Sequence, residues 1–479
     1  MKSGLEFLNR LDSAASTWLL SAGKEVTFAE DDRLVERGTP GHAILVILSG
    51  VAIVSRTPDA SGRIADLGPG DIVGEMAFLE ESPTSAYVVG REQGTALSID
   101  YETLRAKLNE DTAFGQVFYR AFAQMLSARF RTREAMWLSA KPDQESAAAA
   151  KLWARVEPGI QSFKRLVQQA DQQAIKNDAV PDWLADQIQR SFTECEAFLN
   201  SVLGDAAQDS EHTKAVIGAR VQTELLPYLL MSENAERWYS KPRGYAGDFL
   251  SIAKMYDDEP RGTGRVGSIL DRCFLNLAAA RAVQNRRALL AQEIRATLEA
   301  RGDRPARVTS LACGPAQELF DVYEALPDKT ALKSTLLDID LLALAYVADR
   351  RDKKQLKRQM ELLNENLVYL ATGRRSVALE GQDLIYSIGL IDYFADAFVI
   401  SLMDFIHGAL RPGGRVILGN FHPRNVSKAL MDHVLDWKLI HRTDEDMNRL
   451  FQASAFGRPC TRVLYEPQGI NLFAECVKE

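Results

Sequence analysis

The sequence predicts a multidomain protein with an N-terminal β-barrel or jelly roll, a helical middle and a C-terminal α/β domain of Rossmann-like type. Three observations carry that prediction. Residues 24–100 alternate short apolar runs with Gly, Pro and Asp turns. Residues 151–238 carry apolar side chains at helical spacing. Residues 307–340 read as strand, tight small-residue turn, helix and strand. At 479 residues the chain is too long for one ordinary domain, and three units are expected: 1–138, 139–240 and 241–479.

Composition narrows the class. The chain is 46% hydrophobic and 25% charged, as globular proteins are. Its 57 basic and 65 acidic residues leave a net charge of −8, which repels nucleic acid in bulk. The five cysteines are scattered without a C-x-x-C pair, which fits a reducing compartment and argues against structural zinc. No stretch approaches the ~20 apolar residues of a membrane helix. The first residues lack the apolar core of a secretory signal. The expectation is a soluble cytoplasmic protein with no metal and no nucleic-acid partner.

In the first unit, strands are expected at Glu25–Phe28, Leu34–Glu36, Ala43–Ser49, Val51–Arg56, Ile64–Leu67, Ser85–Val89 and Gly94–Ile99. The pieces L-S-G-V-A-I-V (48–54), L-G-P-G-D-I-V-G-E-M-A-F-L (67–79) and S-P-T-S-A (82–86) follow one another. Together they resemble the cyclic-nucleotide-binding domain family. The resemblance implies a long helix from Tyr101 through Met136. It also implies a ligand turn at Gly74, a ribose contact from Glu75 and a phosphate grip at Thr84 and Ser85. Thr84 departs from the family, which places an arginine there. A neutral hydroxyl cannot replace a bidentate guanidinium on an anion. Three roles stay open: a packing or dimerisation module, a receptor for another effector such as a cyclic dinucleotide or lipid, and a residual cyclic-mononucleotide site. A long amphipathic helix after such a barrel suits a homodimer.

Ser139–Ser146 is polar, contains Pro142 and reads as a linker. Helices follow, with breaks expected at Pro158, Pro181 and Gly204. Glu211 and His212 lie here without partners at metal-ligand spacing. The segment Y-S-K-P-R-G-Y-A-G-D-F (239–249) interrupts the helices with two glycines and a proline. It is either a lid carrying Arg243 and Tyr245 or a domain-joining turn. Gly262–Gly267 reads as flexible. One helix is expected over Asp271–Ala300, with Arg281, Arg286 and Arg287 in solvent.

The third unit opens on a strand at Val308–Leu311 and the turn A-C-G-P-A (312–316). Gly314 has no Cβ, so a ligand can approach the backbone there. A helix at Glu318–Leu326 and a strand at Thr335–Leu337 follow, and the strand ends on Asp338. A carboxylate there sits where a ribose diol would bind. The G-x-G-x-x-G fingerprint is missing, which argues against a dinucleotide and for a nucleoside without phosphates, S-adenosylmethionine. Downstream come Q-D-L-I-Y-S-I-G-L-I-D-Y (382–393), a helix at Ala397–Ala409, the turn L-R-P-G-G (410–414), a strand at Arg415–Asn420, and the pair Thr461–Tyr465 and Ile470–Val477. This order resembles class I S-adenosylmethionine-dependent methyltransferases. The resemblance implies that Ala312, Cys313, Gly314 and Pro315 pack on the methionine part of the cofactor. Asp338, with Asp340 as second choice, would take the ribose, and Ile339 would flank the adenine. Ser387 and Ile388 would meet the methionine tail. Tyr386, Tyr393, Arg243 and Tyr245 would face the acceptor, with Arg243 pairing with an acceptor carboxylate. Asp392 would line the next turn, and His407 or His422 would serve as base for an acceptor that is not a carboxylate.

The whole arrangement resembles a bacterial family of 3-hydroxypalmitate methyl ester biosynthesis proteins. That resemblance implies O-methylation of a small-molecule carboxylate such as a hydroxy fatty acid. The alternatives are an N-methyltransferase acting on a small amine and a non-catalytic sensor of a nucleotide or of S-adenosylmethionine.

Overall fold

A computed structural model describes residues 11, 13–60, 62–69, 71–80, 82–122, 147–302 and 304–479. The N-terminal strands are β1 (Lys24–Phe28), β2 (Arg33–Val35), β3 (Ala43–Ser49), β4 (Ala52–Ser55), β5 (Arg63–Leu67), β6 (Ile72–Val73), β7 (Tyr87–Gly90) and β8 (Gly94–Asp100). They form two antiparallel sheets, β1-β8-β3-β6 and β2-β7-β4-β5. Strand alternation explains the core. Leu45 and Ile47 of β3 join Phe28, Ala52 and Val88 between the sheets, while Ile44 and Val46 join Leu19, Leu104 and Phe118 beneath the flanking helices. β6 and the helix Glu75–Glu80 occupy the G-D-I-V-G-E-M stretch, for which no element was expected.

The single helix expected from Tyr101 is two. The first, Tyr101–Glu110, ends where Asp111 takes an extended conformation (φ −125°, ψ 92°). The Asp111 carboxylate then accepts the Phe114 amide at 3.0 Å and starts the next helical stretch. The rest of the expected helix and the linker at 139–146 lie outside the described residues.

The middle is helical as expected: Ala147–Asn177, Asp182–Leu203, Glu211–Leu229 and Glu233–Ser240. Pro158, expected to break the chain, lies within the first of these. Its ring is on the exposed face, where water can serve the carbonyl that the missing N–H leaves free. Pro181 and Gly204 do mark ends. The expected helix at Asp271–Ala300 is also two, Gly267–Leu275 and Ala278–Arg301, broken at Asn276 and Leu277.

The C-terminal sheet contains β9 (Ala306–Leu311), β10 (Leu332–Asp338), β11 (Met360–Asn364), β12 (Gln382–Ile388), β13 (Leu410–Phe421), β14 (Arg462–Tyr465) and β15 (Asn471–Val477). Their order is β11-β10-β9-β12-β13-β15-β14. The first five run parallel, and β15 and β14 close the sheet antiparallel. Helices cover both faces, so the parallel strands are buried. Strand order reverses between β9 and β12, and a crevice opens there beyond the carboxyl ends of the strands. Among the described residues no helix is long and apolar enough to cross a membrane, and no cluster of His, Cys, Asp and Glu is set to hold a metal ion.

Candidate active site

A cleft of about 710 Å³ fills that crevice. Its floor is the turn after β9. Ala312, Gly314 and Ala316 all have positive φ (52°, 52° and 49°). Two alanines held in that region store strain, as functional turns do. The turn is pinned to β10: the Cys313 amide donates to Leu337 O at 3.0 Å, and the Gly314 amide donates to Asp338 Oδ2 at 2.9 Å. A Cβ built on Gly314 would meet nothing within 4 Å, so the backbone faces open space. Ala312, Cys313, Gly314 and Pro315 all line the cleft.

Asp338 and Asp340 stand at the tip of β10, each 7% exposed. The second oxygen of Asp338 accepts the Asp340 amide at 2.9 Å. Burial pushes its carboxyl up to about 6, against the pull of those two amides. Asp340 caps the next helix through the Leu342 amide and grips Arg243 with both oxygens at 2.8 and 2.7 Å. Arg243 lines the cleft as expected, with its guanidinium held by Asp340. Ile339, Ile388, Tyr245 and Tyr393 also line the cleft. Trp437 Nε1 donates to the Tyr393 hydroxyl at 2.9 Å. Burial and the nearby Asp338 and Asp340 hold the Tyr245 hydroxyl well above its ordinary range.

Two expected residues lie elsewhere. Tyr386 is wholly buried in the sheet core, and its hydroxyl donates to Glu318 Oε1 at 2.7 Å. Ser387 turns toward β9 and donates to Leu311 O at 2.9 Å. On a strand the side chains alternate faces, and neither of these two lines the cleft. Asp392 does line it; its Oδ1 accepts the Phe421 amide at 2.7 Å and burial pushes its carboxyl up to about 6. His407 and His422 do not line it.

Other residues were missed. Glu318, in the first turn of the helix Gln317–Ala325, is 2% exposed and lines the cleft. Arg286 was expected in solvent but is 4% exposed and also lines it. The neighbouring arginines pair at the surface, Arg287 with Asp321 and Arg281 with Asp258. The signal was available: Ala279, Val283, Arg286, Leu290 and Ile294 recur at helical spacing, so Arg286 stands in an apolar stripe.

The roof comes from the N-terminal module. Ile47, Gly50, Pro69, Glu92, Gln93 and Thr95 line the same cleft. Three ties hold the module in place. Gly68 and Gly244 meet backbone to backbone, and a Cβ on Gly244 (φ 86°) would fall 2.3 Å from Pro69 Cδ. Arg243 reaches Glu92 at 3.7 Å. Arg374 donates to the carbonyls of Leu20 and Gly23, where the helix Ser13–Ala22 ends. The loop 241–248 is thus packed between the module and the cleft.

The resemblance-derived effector residues are on another part of the module, and none of them lines the cleft. Gly74 (φ 88°) accepts the Tyr101 hydroxyl at 2.6 Å, and Glu75 is buried at the start of its helix. Thr84 is buried and donates to the carbonyls of Glu36 and Thr39, while Ser85 is exposed. The Thr84 hydroxyl is committed to the chain itself.

Comparison with known proteins divides the chain in the same way. Residues 25–111 match the family described as "Cyclic nucleotide-binding domain", and residues 245–470 match the family described as "Putative methyltransferase". The C-terminal half is a methyltransferase domain. The CRP-like cAMP-activated global transcriptional regulator of Mycobacterium tuberculosis is 26% identical over 103 residues, 21% of this chain and 46% of that protein. The chain thus spans about half the length of that relative. A "possible exported protein" of Bordetella parapertussis is 19% identical, with a TM-score of 0.43 over 61% of this chain and 96% of that one. The magnesium protoporphyrin IX methyltransferase of Synechocystis PCC 6803, solved with bound SAH, is 12% identical, with a TM-score of 0.35 over 51% of this chain and 97% of that one.

Proposed function

We propose that this protein is an S-adenosylmethionine-dependent methyltransferase for a small molecule, that its acceptor group is a carboxylate, and that the N-terminal module covers the site. The observation that carries the reading is the pinned turn. Gly314 offers bare backbone to the cleft, and the Asp338 carboxylate stands beside it with its oxygens held in place. The residues fit the cofactor. Asp338 would accept from the ribose hydroxyls, Ile339 would pack on the adenine, and Ala312 to Pro315 would lie under the methionine chain. When bound, S-adenosylmethionine supplies an electrophilic methyl on sulfur.

The protein's contribution is positioning and exclusion of water. An in-line displacement needs the acceptor atom about 3 Å from the methyl carbon and no competing water. A roof from one domain over a floor from another meets the second need. A carboxylate acceptor is ionised at neutral pH and needs no base, and among the described residues no histidine or lysine lines the cleft. Transfer joins a sulfonium and a carboxylate into two neutral groups. Phe249, Ile252, Phe421, Trp437 and Leu439 give one part of the cleft an apolar lining suited to an acyl chain.

Incubation of the protein with S-adenosylmethionine labelled in the methyl group and a panel of hydroxy fatty acids tests this. Label in base-labile methyl esters is expected. Label only in base-stable N-methyl products would refute the acceptor class, and the absence of any transfer would favour a sensor.

A further inference from the structure

Arg286 presents a problem of charge. Its guanidinium has five N–H donors and is never neutral. It is 4% exposed, yet its one hydrogen bond within the described residues is a long one, Nε to the Tyr256 hydroxyl at 3.4 Å. Among the described residues no carboxylate lies within ion-pair distance, although every other arginine discussed above has one or is bound to carbonyls. Leaving a buried cation without a partner is strongly unfavourable. The space around it is nevertheless prepared. Gly389 has φ 75°, and a Cβ there would lie 3.0 Å from Arg286 Nη1. The absent side chain leaves room for the flat guanidinium at the end of β12, with its two terminal nitrogens free of any protein acceptor.

A second buried charge belongs to the same place. Glu318 is 2% exposed and lines the cleft, and its carboxylate is met by the Tyr386 hydroxyl at Oε1 and by its own backbone amide, neither of them a cation. Asp392, the other carboxylate acting with Arg286, is already held by the Phe421 amide. A cation and an anion of the protein, both buried, facing one cleft and not paired with each other, are complementary to a ligand that carries the opposite pair on one carbon.

We propose that Arg286 and Glu318 form a receptor for an α-amino-acid group, Arg286 taking the carboxylate in a two-pronged hydrogen bond and Glu318 the ammonium. Given the reading above, that group is the amino-acid end of S-adenosylmethionine. An acceptor carboxylate fits less well, because it would bring a third negative charge beside Glu318 and Asp392 and no ammonium to offset it.

Calorimetry on the full chain tests this with two ligands. S-Adenosylhomocysteine carries the amino-acid end, and 5′-methylthioadenosine keeps the nucleoside and thioether without it. The wild type is expected to bind the first at least tenfold more tightly. Arg286→Gln should weaken S-adenosylhomocysteine about ten- to a hundredfold, as loss of a charged hydrogen-bond pair does, and should leave methylthioadenosine within about twofold. Arg286→Lys should recover part of the loss, since it restores charge without the fork. Equal weakening of both ligands, or no change in either, would overturn the proposal. So would an unchanged S-adenosylhomocysteine affinity with a raised KM for a carboxylate acceptor, which would give the guanidinium to the acceptor. If Arg286→Gln does not fold, the wild type decides alone: equal affinity for the two ligands refutes the receptor while keeping the nucleoside site. Binding of neither ligand to the wild type would remove the cofactor reading and the receptor with it.

Discussion

Asp338→Asn separates what the fold requires from what the ligand requires. Burial raises the Asp338 carboxyl from 3.8 to about 6. Two units correspond to roughly 3 kcal/mol. The sign follows from proton counting. Between about pH 4 and pH 6 the folded protein holds a proton on Asp338 that the unfolded chain has released. Raising the pH through that window therefore weakens the folded state, and the penalty is complete above about 6. Asparagine carries no such penalty. It has its own cost, because its NH₂ must face either the Gly314 or the Asp340 amide, both of which now donate to carboxylate oxygens; an unmet buried donor costs about 1–3 kcal/mol. The variant should thus be less stable than the wild type near pH 4.5 and close to it near pH 7.5. About a third of the penalty is already in place at pH 4.5, so the gap in melting midpoint should narrow by roughly 4–8 °C between the two, using about 2–4 °C per kcal/mol for a domain of this size on the remaining ~2 kcal/mol. Thermal melts by circular dichroism at both pH values measure this. S-Adenosylhomocysteine affinity should fall about ten- to a hundredfold, because ribose hydroxyls would donate to an amide oxygen instead of a carboxylate. A gap that widens with pH would refute the proton argument, and wild-type affinity would refute the placement of the ribose.

Asp392→Asn should show the same pH trend, since burial also lifts that carboxyl to about 6; parallel wild-type and variant melting curves from pH 4.5 to 7.5 would contradict it. Gly244→Ala puts a methyl 2.3 Å from Pro69 Cδ at a φ of 86°, so S-adenosylhomocysteine should dissociate several-fold faster in stopped-flow measurements, and an unchanged rate would mean that the module does not limit exit. Millimolar cAMP should give no saturable heat in calorimetry, because the Thr84 hydroxyl is spent on the carbonyls of Glu36 and Thr39; a saturable isotherm would restore the nucleotide reading.

Local patterns made most of the architecture legible. Small residues at 312–316 between two apolar runs announce the turn, and Gly314 does have positive φ. The carboxylate at the end of β10 follows from the strand length alone. Errors arose where one side chain overrides a pattern. Asp111 ends a helix that the apolar spacing would continue, by offering its carboxylate to the Phe114 amide. Pro158 fails to end one, because its ring faces water. On β12 the strand was readable but its facing was not: Tyr386 and Ser387 look inward to Glu318 and Leu311, and Ile388 alone of the three reaches the cleft. Arg243 does line the cleft, but its partner Asp340 is 97 residues away in the chain. Pairings at that separation leave no periodic trace.

The roof is the feature least visible in the sequence, and it restricts what regulation can mean here. β3 runs from Ala43, whose carbonyl lies against Gly74, to Ser49 at the cleft. Seven residues of strand span roughly 20 Å. The Gly74 turn and the cleft roof are therefore two ends of one strand within one packed sandwich. A stiff strand can carry a displacement, but it does not by itself couple two sites. An effector near Gly74 shifts the roof only if it binds the covered and uncovered arrangements with different affinity. The contacts that would distinguish those arrangements are identifiable: Gly68 against Gly244, Arg374 on the end of the first helix, and Arg243 shared between Asp340 and Glu92. Arg243 is the one that also touches the proposed cofactor side. Cofactor binding should reposition Asp340 and hence Arg243, so by reciprocity the occupied cleft should hold the module more or less tightly than the empty one.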